Sequence, residues 1–233
     1  HFTMDDNLSL SERIKQRYKS QWSGVFYDRY IKGLWTVAEG IIYDMFNKEK
    51  HIVDDCDCLI DNKNYRYVSC DYGTQNAMVF LLWNKGTDGI WYCVNEYYSG
   101  RDRKVQKTDS EYADDLVEFL DGKEIFQIVV DPSAASFITE LKKRGFRVKK
   151  AKNDVSNGIR LVSTMLNQCK IKFFSKCKNT IKEFSVYAWD PKASARGEDA
   201  PIKQNDHAMD AIRYFIYTIL KGSGLNTDLE GGI

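Results

Sequence analysis

Two apolar stretches of this 233-residue sequence each end in an aspartate. Tyr65–Gly73 carries Asp71 after a run of aromatic and β-branched residues, and Ile125–Val130 is followed directly by Asp131. Such runs favour buried strands, and the carboxyl ends of neighbouring parallel strands meet at one edge of a sheet. Two carboxylates there repel each other unless a cation joins them, and their oxygens suit Mg²⁺ or Mn²⁺. Asp71 alone is equally compatible with a turn aspartate that caps a hairpin.

A third group of polar residues lies near the end of the sequence, in Asn205–Tyr214. On a helix His207 and Asp210 are one turn apart and share a face, and so do Asp206 and Asp210. Asp206 is favoured as a helix cap, which leaves open whether it is also a ligand. Two strand-end carboxylates and an acid on a late helix are the arrangement of a two-metal phosphoryl-transfer site, in which one ion activates water and the other stabilises the leaving oxygen.

The elements that must position these residues follow from hydropathy, glycines and prolines. A capping-box spacing at Ser9–Glu12 predicts a short first helix, and the aromatic residues between Trp22 and Trp35 are interpreted as a plug that packs onto a neighbouring domain. The later predicted elements are strands Tyr65–Gly73, Ala77–Trp83 and Ile90–Tyr98, helix Asp109–Leu120, strand Ile125–Val130, a helix from a Ser133 cap to Arg144, strand Phe146–Lys150, helix Asp154–Cys169, strand Ile171–Phe174, helix Thr180–Trp189, an exposed loop or hairpin Asp190–Asn205 and helix Asp206–Leu220. This order predicts an α/β fold, with a ribonuclease H-like mixed sheet flanked by helices on both faces.

Positive charge is concentrated in one segment although the formal net charge is only +1. Between residues 142 and 182 there are thirteen Lys and Arg against a single acid, Asp154. A solvated protein surface rarely has so one-sided a composition, and the segment therefore indicates a polyanionic partner.

Composition indicates one globular domain with an appendage. We expect residues 1–57 to be a tag remnant and a linker-like N-terminal extension, residues 58–222 the main domain, and residues 223–233 a flexible tail. No run of about 18 apolar residues is present, so no membrane contact is predicted. The six cysteines show no Cys-x-x-Cys pair, and free, reduced thiols in a cytosolic protein are expected.

Several motifs in the same order resemble the C-terminal half of the large terminase subunit of tailed bacteriophages. They are Tyr30–Trp35 with Ala38–Tyr43, then Asp71–Gly73, Val129–Ser133 and Asp206–Tyr214. The resemblance runs from about Leu10 to Leu220, and it implies a ribonuclease H-like nuclease that cuts concatemeric double-stranded DNA during headful packaging.

The resemblance also assigns roles to individual residues. Asp71, Asp131 and Asp210 would be the metal-binding and catalytic acids for two Mg²⁺ or Mn²⁺ ions, with His207 as a further ligand or proton carrier. The loop Asp190–Asn205 is similar to a hairpin beside the family's active site. The positive charge, and not the resemblance, gives the residues expected to bind double-stranded DNA, which are Lys142, Lys143, Arg144, Arg147, Lys149, Lys150 and Lys203.

The full-length family also has an ATPase motor, whereas this sequence contains no Gly-x-x-x-x-Gly-Lys-Ser/Thr phosphate loop. The resemblance therefore implies a nuclease domain without ATPase activity of its own. Its implied partners are the ATPase domain of the same full-length protein, the small terminase subunit and the portal, in the cytoplasm of the infected bacterial host.

Two other classes of function remain compatible with these motifs. A Holliday-junction resolvase or a transposase uses the same fold, because a fold alone does not determine the substrate. A non-catalytic module that grips DNA for the motor would need only the basic segment.

Overall fold

A computed structural model of the protein describes residues 3–73, 77–99 and 107–221. The predicted tail, 223–233, and the first two residues of the expected tag remnant lie outside these ranges. The strands within them are β1 Ile52–Val53, β2 Arg66–Asp71, β3 Met78–Lys85, β4 Trp91–Ser99, β5 Gln127–Val130, β6 Val148–Lys150 and β7 Ile171–Phe174. They form one mixed sheet in the order β1-β7-β4-β3-β2-β5-β6.

Strand directions determine which residues can meet. Strands β2, β3 and β4 pair antiparallel, whereas β5 pairs with β2, and β6 with β5, in parallel. We call the edge where β2 and β5 end the carboxyl edge, and the edge where they begin the amino edge. The predicted order of three antiparallel strands followed by parallel ones is confirmed.

Helices cover both faces of the sheet. Their bounds are α1 Glu12–Gln21, α2 Gly24–Tyr30, α3 Lys48–His51, α4 Asp109–Leu120, α5 Ala135–Lys143, α6 Val155–Asn167, α7 Lys178–Phe184, α8 Pro191–Ser194 and α9 His207–Phe215, after which Ile216–Leu220 forms a π-helical segment. Successive residues of β3 point to opposite faces of the sheet and are buried under different layers of helices. Val79, Leu81 and Trp83 are buried with α6, α7 and α9, whereas Met78, Phe80 and Leu82 are buried with α4 and α5.

The expected linker contributes to the core. Strand β1 pairs in parallel with β7, and Phe26, Ile42 and Tyr43 are buried in the same core cluster as α6 and α9. The ring of Phe26 packs edge-on against Trp189 at 6.3 Å. The aromatic plug therefore packs onto this same chain, and the boundary proposed between residues 57 and 58 does not separate two cores.

Several predicted helix ends are wrong by a few residues. Ser11 caps α1 by accepting a hydrogen bond from the Ile14 amide, so the capping residue is not Ser9. Helix α5 begins at Ala135 without a side-chain cap from Ser133. The helix expected to reach Trp189 is α7, which ends at Phe184, because the chain then turns into a bridge between Trp189 and Pro201. That bridge supports the hairpin interpretation of the loop that follows.

The expectation of six free thiols is wrong for two residues. Cys56 and Cys58 form a disulfide, whereas Cys70, Cys93, Cys169 and Cys177 are free. The linked pair packs against the β3–β4 hairpin, where Gly86 leaves no room for a side chain beside the Cys58 sulfur. Among the described residues, no helix is both long and apolar enough to span a bilayer.

Candidate active site

The two strand-end aspartates are neighbours at the carboxyl edge. Asp71 is the last residue of β2, and Asp131 follows β5 directly. Cys70 pairs with Val130, and the Asp131 amide donates a hydrogen bond to the Cys70 carbonyl at 3.3 Å. The predicted meeting of the two strand ends is therefore confirmed.

Helix α9 brings His207 to the same edge. Its Nδ1 lies 2.9 Å from Oδ2 of Asp71, so the imidazole and the carboxylate share a hydrogen bond. Both side chains are almost completely buried. The Nε2 atom of His207 is buried without a hydrogen-bond partner in the part of the chain that the structure describes. An unpartnered buried nitrogen is costly, and a ligand at this position would remove that cost.

Asp210 lies one turn later and contacts two cations. Arg213, only 1% exposed, donates from Nη2 to Oδ1 of Asp210 at 2.9 Å and also donates to Asn153 at 2.8 Å. Lys203, from the end of the predicted loop, reaches Oδ2 of Asp210 at 3.3 Å. Two positive partners compensate for the burial of this carboxylate, whose residue is only 8% exposed.

Asp131 is the more open of the carboxylates. Its Oδ1 accepts a hydrogen bond from the Ser133 amide at 2.8 Å, and its Oδ2 accepts one from the Tyr214 hydroxyl at 3.2 Å. The first contact is an Asx turn, which orients the side chain toward the end of the strand. Tyr214 therefore ties this carboxylate to the same helix that carries the other polar residues.

Asp206 occupies the N-cap position of α9, but its side chain makes no capping hydrogen bond. Instead its Oδ2 lies 3.3 Å from Nζ of Lys203. The favoured interpretation as a side-chain cap is wrong. Whether Asp206 is a metal ligand stays open.

The four proposed ligands line one cleft of about 230 Å³. Its lining residues are Asp71, Tyr72, Gly73, Asp131, Lys203, Asp206, His207 and Asp210. Within the described ranges, no three His, Cys, Asp or Glu side chains are already gathered as a metal-binding group. The donor set nevertheless fits a divalent cation, because carboxylate oxygens and a neutral imidazole nitrogen are accepted ligands of Mg²⁺ or Mn²⁺, and the buried Nε2 of His207 has no other partner among the described residues.

Burial shifts the acidity of the central pair. It raises the pKa of Asp71 to about 6, since removal from water penalises the anion, and the hydrogen bond with His207 offsets part of that effect. Burial by itself lowers the pKa of His207, but hydrogen bonding and charge from Asp71 outweigh it and raise the pKa above its ordinary value.

The residues expected to bind DNA are divided between the two edges. Lys149 and Lys150 are exposed and end β6 at the carboxyl edge, where Lys150 pairs with Val130. Helix α5 leads away from Asp131, so Lys142 and Lys143 at its end lie toward the amino edge. The predicted DNA-binding lysines therefore lie toward two different edges of the sheet.

Two other members of that set make contacts within the chain. Arg144 is bound to Asp114 and Glu140, and its guanidinium is therefore already neutralised. Arg147 stacks on Phe126 at 4.7 Å, and its carbonyl accepts from Ile128 near the start of β5, which places Arg147 at the amino edge.

Three site residues were not predicted from the sequence. Arg213 and Tyr214 belong to the quoted helix motif, and their spacing from Asp210, three and four residues, was an available signal for contact on one helix face. Glu183, whose carboxylate accepts hydrogen bonds from the start of α9, had no such signal because it lies about 25 residues upstream in another helix.

Helix α6 packs against the Arg213 side chain through Gly158. A Cβ atom at Gly158 would lie 2.5 Å from Cγ and 2.7 Å from Cδ of Arg213, which is held at its far end by Asp210. We expect Gly158→Ala to cost about 1–3 kcal/mol in the free energy of unfolding through overpacking, although alanine is normally the better helix former. A urea titration measures the change.

Ser156→Ala, an exposed change on the same helix, is the matched control and should leave stability within about 0.5 kcal/mol. A gain in stability for Gly158→Ala would show that Arg213 has room to move.

A mixed sheet of this order, with carboxylates at two adjacent strand ends and a third on a late helix, has the ribonuclease H-like architecture. Comparison with known proteins names the family. Residues 121–218 match the family described as "Terminase RNaseH-like domain".

Relatives cover nearly the whole of this chain. It is 53% identical to the large terminase of the thermophilic bacteriophage D6E, over 95% of this chain and 55% of that one, with a TM-score of 0.87. It is 26% identical to the large terminase subunit of Escherichia phage T5 over 95% of this chain and 52% of that protein. The chain thus spans about half the length of these relatives.

The nuclease domain of the bacteriophage SPP1 large terminase shares the fold. It is 18% identical, with a TM-score of 0.51, over 78% of this chain and 98% of that domain. The resemblance seen in the motifs is confirmed: residues 121–218 match the terminase ribonuclease H-like family, in a chain that is similar to phage large terminases over almost its full length.

Proposed function

We propose that this chain is an endonuclease that cuts concatemeric double-stranded DNA during phage genome packaging by metal-dependent hydrolysis of phosphodiester bonds. The observation that carries the proposal is the convergence of Asp71, Asp131, His207 and Asp210 on one cleft at the carboxyl edge. Such acids attract divalent cations, which serve as the usual cofactors for this chemistry.

Two Mg²⁺ or Mn²⁺ ions are the cofactors that we propose, with these four residues as their ligands. When bound, the ions would activate water and stabilise the leaving oxygen. The SPP1 nuclease domain was solved with bound Mn, which supports the choice of metal through a shared fold. Lys203 faces two carboxylates of the cleft, and we propose that it contacts a DNA phosphate once a cation neutralises them.

Cleavage of supercoiled and linear DNA, with Mn²⁺, with Mg²⁺ and with chelator, tests the proposal. We expect nicked or linear products with either metal and none with chelator. Cleavage that persists in chelator would overturn metal dependence. DNA binding without cleavage under all conditions would favour the gripping module instead.

The position of each lysine relative to the cleft predicts how much it contributes to DNA affinity. Lys149→Gln/Lys150→Gln removes two exposed charges at the carboxyl edge, where the cleft lies, whereas Lys142→Gln/Lys143→Gln removes two at the end of α5 toward the amino edge. Each lost phosphate contact should reduce the slope of log affinity against log salt by about 0.9. We expect the first double variant to lose about 2 from the slope and the second almost nothing, as measured by fluorescence anisotropy in a salt series.

The two variants are matched in number and type of charge, so each is the control for the other. Equal losses of slope in the two variants would show that DNA contacts both groups of lysines and is not bound mainly at the cleft.

The remaining roles belong to the full-length protein. We propose that ATP hydrolysis lies in the part of the relatives that this chain does not span, since the sequence has no phosphate-loop motif. The ATPase domain, the small terminase subunit and the portal are its proposed partners in the cytoplasm of the infected host.

A further inference from the structure

Glu183 is a buried carboxylate that contacts the helix of the candidate site. It lies in the last turn of α7 and is 4% exposed. Its Oε2 accepts hydrogen bonds from the backbone amides of Ala208 at 2.8 Å and Met209 at 3.2 Å. Its Oε1 accepts one from the Tyr98 hydroxyl at 2.6 Å. Three elements, β4, α7 and α9, are thus joined at one side chain.

The first amides of any helix lack partners within that helix. In α9 the N-cap side chain of Asp206 does not supply one, and Glu183 does so from another helix. A carboxylate is suited to this place, because the helix dipole presents partial positive charge and charge-assisted hydrogen bonds are short and strong.

The two bonded amides lie between the proposed ligands. Ala208 and Met209 are the residues that separate His207 from Asp210. A shift or rotation of this turn would therefore move both ligands relative to Asp71, which is held by β2 on the sheet. The side chains of Ala208 and Met209 are completely buried, so the turn is held by packing from one side and by Glu183 at its backbone.

We propose that Glu183 is a positioning residue of the nuclease, which holds the first turn of α9 so that His207 and Asp210 meet the strand-end carboxylates. Tyr98 orients Glu183 in turn. This inference rests on the proposed function, because a positioned ligand set matters only if the cleft binds metal.

The test compares Glu183→Ala, Glu183→Gln and Tyr98→Phe with Leu141→Val. Leu141 is buried in the other core cluster near the end of α5, away from the cleft, and its variant controls for loss of stability. Three quantities are measured: Mn²⁺ affinity by electron paramagnetic resonance without DNA, kcat and KM for plasmid cleavage, and hydrogen exchange of the peptide that covers residues 206–211.

Partners that orient metal ligands typically contribute 10–100-fold to affinity or activity. We expect Glu183→Ala to lose about tenfold or more in Mn²⁺ affinity and in kcat, with KM nearly unchanged, and to exchange the α9 amides at least about tenfold faster. Glu183→Gln, whose amide oxygen can still accept one hydrogen bond, and Tyr98→Phe should show smaller losses of the same kind. If Glu183→Ala does not fold, these two variants carry the test.

Leu141→Val should keep the wild-type Mn²⁺ affinity despite a lower melting temperature. Wild-type affinity, kcat and exchange in the Glu183 variants would overturn the positioning role, as would an equal loss of affinity in Leu141→Val. A wild-type protein that neither binds Mn²⁺ nor cleaves DNA would overturn the proposed function instead, and the exchange data would then still show whether Glu183 holds the turn.

Discussion

Asp131→Asn should reduce DNA cleavage at least about a thousandfold, equivalent to roughly 4 kcal/mol in the activation barrier. The amide keeps the shape of the carboxylate and can still accept one of its two hydrogen bonds, from Ser133 or Tyr214. It loses the charge that we propose holds the cation. Because the side chain is only partly buried, the free energy of unfolding should change by less than about 1 kcal/mol.

Asp88→Asn is the matched control for this experiment. Asp88 also begins an Asx turn, accepts a hydrogen bond from the amide two residues later at 2.9 Å, and lies in the β3–β4 hairpin at the amino edge. Its variant should cleave plasmid within about twofold of wild type. Residual cleavage by Asp131→Asn within about tenfold of wild type would remove Asp131 from the site.

The sequence was most informative about single strands and helices, because the hydrophobic pattern of each depends on its own geometry. The uninterrupted apolar run before Asp131 predicts a strand covered on both faces, and Ile128 and Val130 are buried against one layer while Val129 is buried on the other. The spacing of His207 and Asp210 likewise predicted a shared helix face, and both line the same cleft. Local periodicity is sufficient for such inferences because it depends only on strand and helix geometry.

Long-range contacts could not be predicted in this way. The aromatic residues near Phe26 were assigned to a plug on a neighbouring domain, since nothing local reveals that Trp189 is their partner. The basic segment was treated as one surface, but Lys143 ends α5 toward the amino edge, whereas Lys149 and Lys150 end β6 at the carboxyl edge. Charge along the sequence does not show which residues share a face once the chain reverses direction.

The strength of the ion pair between Arg213 and Asp210 could not be predicted from the sequence either. The position of Arg213 one turn after Asp210 suggests an exposed ion pair worth a few tenths of a kcal/mol, yet the guanidinium is 1% exposed and bonded to Asp210 and Asn153. Burial depends on the whole fold. In a buried ion pair, removal of either partner leaves the other as an unpaired charge in the core, which is costly.

Arg213→Met should therefore lower the free energy of unfolding by about 3–5 kcal/mol, the usual result when one partner of a buried pair is removed. Methionine fills most of the same volume, so the loss measures the effect of removing the charged partner of Asp210, which among the described residues then has Lys203 at 3.3 Å as its remaining cation. A urea titration measures it. Arg160→Met is the control, because Arg160 stacks on Trp22 and bonds the neutral Asn157, and its loss should stay near 1 kcal/mol or below.

A second substitution separates charge from packing. If the unpaired carboxylate causes the loss, adding Asp210→Asn to Arg213→Met should restore about 1–3 kcal/mol, the coupling expected for residues in direct contact. The double variant should remain inactive in DNA cleavage, since it lacks a proposed metal ligand. A double variant no more stable than Arg213→Met would assign the loss to packing against Gly158 and Tyr214, and would show that Asp210 tolerates burial without its arginine.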